Sequence, residues 1–523
     1  MPNYLSPGVY MEEVDKGSKP IEAVGTAVAA FIGYTEKAVD EKNGEKRSLL
    51  GKPSLVTNWS QYVQKFGGFI AGAYTPDAVY GYFANGGGIC YILSVKTLGT
   101  SDDPSATVAA TTVISSEGDK PAEVLKFAAK EGGTSGNSIS VEVRPSNEEE
   151  GEGSSEKAFT VTVKVDGVAQ ERFDNLVLSK TGNNVQTVVN EKSKLVDVDV
   201  VGKVSLIPAG GTYNLAGGEV KTKAITLNDY QGDVNQRTGL GGLEPLDDVT
   251  MVIAPDLMSA YEAGELDEKG VQAVQQSLID YCELVRYCFA ILDAPPGLMP
   301  QEVKEWRFQV NYDSSRAALY YPWIEIADLT GSNGRTRHVP PSGHVAGVYA
   351  RVDNTRGVHK APANELIRGC LGLDVQVTKG EQDLLNPIGV NCIRSFPGRG
   401  IRIWGARTLS SDPAWRYVPV RRLFNMIEES IERGTQWVVF EPNDPFLWGR
   451  INRDVSSFLK MIWGTGALFG SSPSDAFYVK CDAETNPPEL RDLGQLVVEI
   501  GVAPVKPAEF VIFRISQWSG ADD

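Results

Sequence analysis

The chain of 523 residues is poor in histidine and cysteine, with 3 histidines and 6 cysteines, and it has no long apolar run. So few scattered cysteines do not suit a disulfide framework, and we interpret them as reduced core residues of a cytosolic protein. No uncharged stretch reaches about 18 residues, so the sequence predicts no membrane-spanning helix and no membrane insertion. The first residues lack the basic and apolar regions of a secretory signal, and none is expected.

The scarcity of histidine also limits catalysis and metal binding. His338, His344 and His359 lie in one short region, form no HExxH motif and have spacings that suit no common zinc site. We expect His338 in a loop and His344 at the start of a helix. No GxSxG elbow and no Walker A lysine are present, and the glycine-rich residues 464–470 are typical of a helix end. The sequence therefore predicts a protein that is not an enzyme, with no catalytic residue, metal or cofactor.

Acidic residues outnumber basic ones, 67 to 50, which gives a net charge of −17. Recognition of phosphate groups needs basic patches, so the sequence predicts no nucleic-acid partner and no anionic membrane surface as partner. The charge is compatible with solubility of a very large assembly, but it does not identify a partner.

Each end of the chain contains a β-prone run with no hairpin partner beside it. Residues 4–14 contain a turn followed by an extended run, and residues 506–516 are apolar on both faces, as in a strand buried inside a sheet. Such strands pair within one subunit, or they add to sheets of neighbouring subunits and so build a polymer. The second hypothesis assigns the pairing to Val9, Tyr10, Met11, Glu12, Phe510, Val511, Ile512, Phe513 and Ile515.

Between residues 23 and 98, apolar strands alternate with helical segments. Strands are predicted at residues 27–34 and 89–95. Residues 58–67 are predicted to form a short helix ended by glycine, and residues 74–85 a second helix.

The composition changes after Leu98. Residues 99–226 are rich in Thr, Ser, Gly, Val and Lys and alternate in the all-β manner, for example over residues 159–165. A β-rich module between two α/β segments is best explained as an inserted domain on the surface. We interpret its acidic run, residues 147–153, as a solvated loop tip.

From Asp248 onward the pattern becomes βαβαβ. Strands and helices are predicted to alternate at residues 249–254, 271–285, 288–293, 301–310 and 317–326. This order implies a mostly parallel sheet with helices on its faces.

The last region contains two amphipathic helices, with a buried strand predicted between them at residues 436–441. The second helix begins with the capping sequence Asn443-Asp444-Pro445. In the first helix the apolar residues form one stripe. Its charged residues lie off that stripe: Arg421, Arg422, Glu428, Glu429 and Arg433.

The predicted fold is therefore α/β plus β: a mixed multidomain subunit with an α/β core, an inserted all-β domain and extended N- and C-terminal strand arms. The predicted divisions are an N-terminal arm (1–22), the first part of the core (23–98), the inserted outward-facing domain (99–226), an α/β domain (227–400), an inner C-terminal domain (401–505) and a C-terminal arm (506–523).

Several of these segments resemble those of one family, the contractile tail sheath proteins. The resemblance covers the first 95 residues and most of the chain after residue 245, but not the β-rich module. The ending, residues 499–510, is its most specific part. The other similar segments are residues 7–13, 340–347, 356–364, 421–431 and 437–445.

The resemblance implies a structural subunit that stacks in rings around an inner tube and shortens to drive the tube through a target envelope. It implies that the terminal arms exchange between subunits and complete a sheet on a neighbour's C-terminal domain. It also implies an α/β region of subtilisin-like fold without a protease site. The implied partners are further copies of the chain, the inner tube protein, and baseplate and terminal cap proteins. Assembly is expected in the cytoplasm, as part of a phage tail or phage-like injection particle.

The charged helix at residues 421–433 is the candidate contact with the inner tube. Alternatively, its charges solvate the helix or pair with each other, as Glu429 and Arg433 would do. Two other functions remain as alternatives: an adhesion protein that binds through the inserted β domain, and a hydrolase that depends on His344.

Overall fold

The structure is a computed structural model of the chain. It describes residues 20–42, 45–100, 107–117, 121–145, 158–180, 182–203, 206–221, 223–330 and 335–514. These residues form two compact units. The C-terminal unit comprises residues 20–26, 352–362 and 410–514, and the sheet unit comprises residues 27–351 and 363–409.

The first part of the sheet unit follows the predicted alternation of strands and helices. The short helix at residues 58–67 is confirmed: the Asn58 side chain accepts a hydrogen bond from the Gln61 backbone N–H at 2.9 Å, and the helix ends at Gly67 with φ of 84°. The elements are β1 (Val28–Thr35), β2 (Val39–Lys42), β3 (Glu45–Ser48), β4 (Ser54–Val56), α1 (Trp59–Phe66), α2 (Thr75–Asn85) and β5 (Ile89–Thr97).

Residues 107–220 form small sheets around a core of their own, which includes Phe127, Val141 and Val161. The elements are β6 (Thr107–Val108), β7 (Thr111–Ser115), β8 (Glu123–Ala129), β9 (Ile139–Pro145), β10 (Phe159–Val165), β11 (Val168–Leu176), α3 (Val185–Lys192), β12 (Val196–Val200), β13 (Gly211–Asn214) and β14 (Glu219–Val220). In the described chain the sheets have the orders β11-β10-β9-β13, β12-β8-β7 and β14-β6. The all-β expectation missed α3, which is capped by Asn184 and buries Val185 and Val189.

The rest of the sheet unit carries the predicted βαβαβ order. The elements are α4 (Leu227–Gln231), β15 (Met251–Ile253), α5 (Leu257–Glu262), α6 (Glu268–Val285), β16 (Phe289–Asp293), α7 (Pro300–Val310), β17 (Ala317–Tyr321), β18 (Ile324–Ala327), β19 (Thr336–Val339), α8 (Ser342–Arg356), β20 (Glu365–Leu366), β21 (Gly372–Leu373), α9 (Lys379–Leu385), β22 (Val390–Phe396) and β23 (Gly400–Ile403).

Among the described residues, nine strands form one large sheet in the order β20-β23-β22-β17-β16-β15-β1-β5-β4. The strands from β22 to β5 run parallel, and the outer strands β4, β23 and β20 are antiparallel to their neighbours. Every residue of β16 and β17 is buried, which is why these strands appear in the sequence as continuous apolar runs. The mostly parallel sheet is confirmed.

The single strand predicted at residues 317–326 is wrong. The chain forms two strands, because Pro322 has no N–H to donate to a ladder. β17 joins the large sheet, whereas β18 pairs with β19 and β21 in a small antiparallel sheet. The loop predicted for His338 is also wrong, since His338 lies in β19 opposite Glu325.

The C-terminal unit contains the two predicted helices. The elements are α10 (Val418–Gly434), α11 (Pro445–Gly464), α12 (Pro473–Ala476), β24 (Phe477–Lys480), α13 (Pro488–Asp492) and β25 (Glu499–Val502). Its core includes Leu423, Ile427, Ile451 and Leu459, from facing stripes of α10 and α11. The units divide after Leu409, later than the predicted division at residue 400, because β23 still pairs with β22.

None of the helices in the described part of the chain is both long and apolar enough to cross a membrane. The six cysteines are all unbridged in this structure, and all except Cys370 are buried.

Candidate assembly interface

Large apolar side chains are exposed to solvent at the C-terminal end of the described chain. Glu509 fixes the root of this segment, since its Oε2 accepts a hydrogen bond from the Tyr417 hydroxyl at 2.9 Å. The next four residues belong to no strand. Their exposed fractions are 70% for Phe510, 68% for Val511, 78% for Ile512 and 85% for Phe513. We call residues 510–513 the C-terminal apolar segment.

The other residues predicted for the terminal arms lie outside the described residues. They are Val9, Tyr10, Met11, Glu12 and Ile515. Their pairing stays a prediction.

A small antiparallel sheet in the C-terminal unit offers a place for an added strand. β24 and β25 pair with Phe477 opposite Val502 and Lys480 opposite Glu499. In the described part of the chain this sheet has two strands, so each has one strand partner. An edge of this kind presents backbone N–H and C=O groups to any extended segment that approaches it.

The structure places three of the five predicted tube-contact residues inside the C-terminal unit. Arg421, Arg422 and Glu429 are only 5%, 4% and 3% exposed. The Arg421 guanidinium lies 4.2 Å from the centre of the Trp415 ring, and its Nη2 donates to Glu428 Oε1 at 2.8 Å. Arg421 therefore fixes the start of α10 against its own unit.

Arg422 is held by a buried carboxylate. Its Nη1 and Nη2 donate to Asp353 Oδ1 at 3.0 Å and Oδ2 at 2.6 Å, a bidentate geometry. Nη2 also donates to the Thr26 carbonyl at 2.8 Å, and the Thr26 hydroxyl donates to Asp353 Oδ2 at 2.7 Å. This network joins residues that are far apart in sequence within the C-terminal unit.

The remaining charges of α10 are partly exposed. The side chains of Glu428 and Arg433 are 47% and 45% exposed, and Arg433 Nη2 pairs with Glu429 Oε1 at 2.5 Å. The pairing of Glu429 with Arg433, which the sequence offered as an alternative, is therefore present. The tube contact stays a prediction, and Glu428 and Arg433 are its accessible members.

The buried strand predicted at residues 436–441 is wrong. Residues 436–438 form a single 3₁₀ turn, and the following Val439 and Phe440 are 61% and 102% exposed. Phe440 has φ of 69°, which a strand does not accommodate. The closely spaced Pro442 and Pro445 were the available signal, because proline marks a turn in an otherwise apolar run. Sequence reasoning thus missed an exposed aromatic loop, which Phe446, 85% exposed, extends.

The hydrolase alternative finds no catalytic geometry around His344. This residue lies near the start of α8, as predicted, and its ring packs over Gly81, where a Cβ atom would overlap it. His344 is 3% exposed, its Nδ1 has no hydrogen-bond partner in the described chain, and burial lowers its pKa to about 4. The nearby Ser342 hydroxyl donates to Asp293 Oδ2 at 2.5 Å, so a serine and a carboxylate pair without a histidine between them.

Metal binding lacks a ligand set as well. Among the described residues, no group of three or more His, Cys, Asp or Glu side chains is placed to hold an ion.

Two family models match adjoining parts of the chain. The model of the phage tail sheath protein central domain matches residues 250–409, and that of the phage tail sheath C-terminal domain matches residues 410–517. Together they cover more than half of the chain. Their common boundary coincides with the division between the two units.

A curated relative and two solved structures agree with these models. The tail sheath protein of Vibrio phage KVP40 is 25% identical over 390 residues, which are 68% of this chain and 55% of that protein. The chain thus spans little more than half the length of this relative.

The solved structures match over nearly the whole chain. The helical sheath of the anti-feeding prophage in its contracted state has a TM-score of 0.60 and 24% identity, covering 98% of this chain and 99% of that one. The PVC sheath complex of an extracellular contractile injection system, also contracted, has a TM-score of 0.56 and 25% identity, covering 99% of both chains. The solved structures share the fold, and the two family models establish that the chain belongs to the phage tail sheath protein family.

Proposed function

We propose that the chain is the structural subunit of a contractile sheath, which polymerises helically around an inner tube and contracts to drive the tube through a target envelope. Its matches are structural proteins and not enzymes. Further copies of the chain, the inner tube protein, the baseplate and a terminal cap are its proposed partners. Assembly takes place in the cytoplasm, as part of a phage tail or phage-like injection particle.

The C-terminal apolar segment carries this proposal. Phe510, Val511, Ile512 and Phe513 are each at least two-thirds exposed in the single subunit. Complete burial of one such side chain stabilises by roughly 1.5–3 kcal/mol. A chain that leaves four of them exposed in sequence gains strongly from a neighbour that covers them.

The acceptor in the neighbour is the sheet of β24 and β25. An added strand forms backbone hydrogen bonds worth roughly 0.5–1.5 kcal/mol each, in addition to the apolar burial. Residues 4–14 add to the same sheet in another neighbour, as the resemblance to sheath proteins implies. A contact of this head-to-tail kind does not close on itself and extends into a helical filament.

Residues 99–226 form an inserted domain that faces outward. Glu265 supports this proposal, because its carboxylate contacts one residue before the insertion and one residue at its end. Lys96 Nζ lies 2.5 Å from Glu265 Oε1, and the Ile225 N–H donates to Glu265 Oε2 at 3.1 Å. The chain therefore departs from the elements of the large sheet and returns to them at one place, as expected for a module added to an existing core.

Glu428 and Arg433 on α10 are the proposed contacts with the inner tube. Their partial exposure permits a contact that releases more easily than an exchanged strand. The adhesion alternative gains no support from the matched proteins, which are sheath components.

Deletion of residues 506–523 tests the proposal. We expect a folded subunit that no longer forms cylinders, because the core of the C-terminal unit ends before this segment. Circular dichroism reports folding, and negative-stain microscopy reports cylinders. The point variant Ile512→Asp is expected to give the same loss, since it places a charge in the new strand.

Val168→Asp is the matched control. Val168 is also exposed, at 62%, but it lies in β11 of the proposed outward domain. We expect cylinders of normal length from this variant. Cylinders formed by the deleted chain would refute the proposed exchange of C-terminal strands.

A further inference from the structure

The order of strands in the large sheet reverses between β1 and β15. From β1 the chain passes through α2 to β5 on one side, and later through β15, β16 and β17 on the other. The two halves therefore diverge from the carboxyl ends of β1 and β15. In open α/β sheets, ligands bind in the crevice outside the carboxyl ends of the strands at such a reversal.

Asp256, just after β15, fixes the walls of this crevice. It is fully buried, and its Oδ2 accepts the backbone N–H of Tyr34 at 2.6 Å and of Thr75 at 3.0 Å. Its Oδ1 accepts the N–H of Tyr74. One carboxylate thus ties the end of β1, the start of α2 and the start of α5 together, which preforms the crevice.

A cavity of about 520 Å³ opens beside these loops, a size within the roughly 300–1,000 Å³ of small-molecule sites. It lies in the sheet unit and collects side chains from four segments of the chain. Besides Ser259, whose hydroxyl donates to the Gly72 carbonyl, those with polar groups are Tyr74, Glu262, Asp328, Thr330, Arg337 and His338.

The positive charge of Arg337 faces a buried carboxylate and a backbone carbonyl. Its Nη2 donates to the Ala73 carbonyl at 2.9 Å and lies 3.2 Å from Oδ2 of Asp77, which is 2% exposed. Its guanidinium carbon lies 5.1 Å from the centre of the Tyr74 ring. Burial raises the pKa of Asp77 to about 7, although Arg337 opposes this shift, so the pair is ionised above that pH.

Two carboxylates line the cavity. Glu262 Oε2 accepts the Tyr74 hydroxyl at 2.6 Å, and Asp328 Oδ1 accepts the Thr330 hydroxyl at 2.6 Å and its N–H at 3.0 Å. The hydrogen bonds from Thr330 hold the pKa of Asp328 below its usual value, so this group is ionised at neutral pH. The positive charges of Arg337 and Arg335 favour the ionised form of Asp328 as well. The cavity therefore presents two carboxylates beside an aromatic wall, and above about pH 7 Asp77 compensates the charge of Arg337.

We propose that this cavity binds a small organic cation with ammonium groups, of the alkyl polyamine class. Ammonium groups donate to Glu262 and Asp328, and the methylene chain packs along Tyr74 and the small residues Ala71 and Ala263. This combination of carboxylates and apolar wall favours an organic cation over a metal ion, which needs a closer set of oxygen ligands.

Titration calorimetry of the full chain with spermidine tests the proposal. At about pH 8, one unit above the pKa of Asp77, we expect one saturable site. The variant Glu262→Gln/Asp328→Asn is expected to bind at least tenfold more weakly. Ala71→Lys, which supplies an ammonium group from an exposed loop, is expected to abolish binding without disturbing the core.

The matched control is Asp280→Asn/Asp383→Asn, which removes the same charge from exposed helix positions. We expect this variant to bind spermidine with unchanged affinity. We also expect Mg²⁺, added at the same concentration of positive charge as spermidine, not to compete with it. Equal weakening by both double variants, or full competition by Mg²⁺, would show general attraction to an acidic protein and overturn the site. So would an absence of spermidine binding. If the cavity variant then also failed to form cylinders, the occupant would be a basic side chain of a second copy.

Discussion

At the scale of single residues, buried carboxyl groups give the sheet unit a dependence on pH. Asp77, Asp256 and Asp293 are each at most 3% exposed, and burial raises their pKa values to about 7, 6 and 7. An unfolded aspartate titrates near 3.9. Between about pH 4 and 7 the folded chain therefore holds protons that the unfolded chain has lost, so the free energy of unfolding falls as the pH rises through this window.

Asp293→Asn isolates one of these contributions. Asparagine cannot ionise, so we expect the melting temperature of the variant relative to wild type to increase between about pH 5 and 8. Thermal unfolding followed by circular dichroism at several pH values measures this difference. The exposed Asp383→Asn serves as control, with curves parallel to wild type. Parallel curves for Asp293→Asn as well would contradict the assignment.

Arg422 belongs to the structure of the C-terminal unit and is a poor probe of tube contact. Loss of one partner of a buried ion pair costs about 3–5 kcal/mol. We therefore expect Arg422→Met to lower the free energy of unfolding by about this amount, and Arg422→Met/Asp353→Leu to lower it by less. Urea denaturation of wild type, both single variants (Arg422→Met and Asp353→Leu) and the double variant measures the coupling. Additive losses would argue against the bidentate pair.

At the scale of helices and strands, periodicity predicted most of the elements. Buried parallel strands such as β16 appear in sequence as apolar runs, and the caps Asn58 and Asp444 mark helix starts. The rule that an apolar run marks a buried strand failed at residues 436–441, where the run is exposed in a loop. Helical periodicity also separated Arg422 from the apolar stripe of α10. It could not reveal that Asp353 and Thr26, which are distant in sequence, bind the Arg422 side chain. For the same reason the cavity beside Tyr74 was not predictable, since its walls come from distant segments.

The start of α11 provides a test at this scale. The Asp444 side chain accepts the Leu447 backbone N–H at 2.9 Å and so caps the helix. Asp444→Ala is expected to lower the free energy of unfolding by about 1 kcal/mol, whereas Asp444→Asn retains an acceptor and most of the stability. Chemical denaturation of both variants measures the difference. Equal losses would show that the side-chain charge matters more than the cap.

At the scale of the whole molecule, we propose that the residues between Lys96 and Ile225 are a module inserted into the chain of the large sheet. Both residues contact Glu265, and residues 107–220 have a core of their own. The strands of the large sheet on either side, β5 and β15, do not take any partner from this region in the described chain.

Replacement of residues 101–220 by a short Gly-Ser linker tests this division. We expect a soluble subunit that keeps the large sheet and still forms cylinders, because no part of the main core is removed. Replacement of residues 227–246 is the matched control, since it removes the buried Tyr230, Leu240 and Leu243 and is expected to unfold the chain. Folding is checked by circular dichroism and cylinders by microscopy. Loss of folding in the first variant would mean that the module is integral to the core.

The central position of β1 has a consequence for folding during synthesis. Its neighbour β5 follows soon in sequence, but its other neighbour, β15, starts only at Met251. On the ribosome, one edge of β1 therefore waits on the order of 10 to 40 s for its partner at ordinary rates of synthesis. During that interval the nascent chain displays an apolar strand edge, while residues 107–220 are free to fold around their own core. High expression rates would thus favour mispairing between growing chains, and chaperones that shield the first strand would raise the yield of subunits.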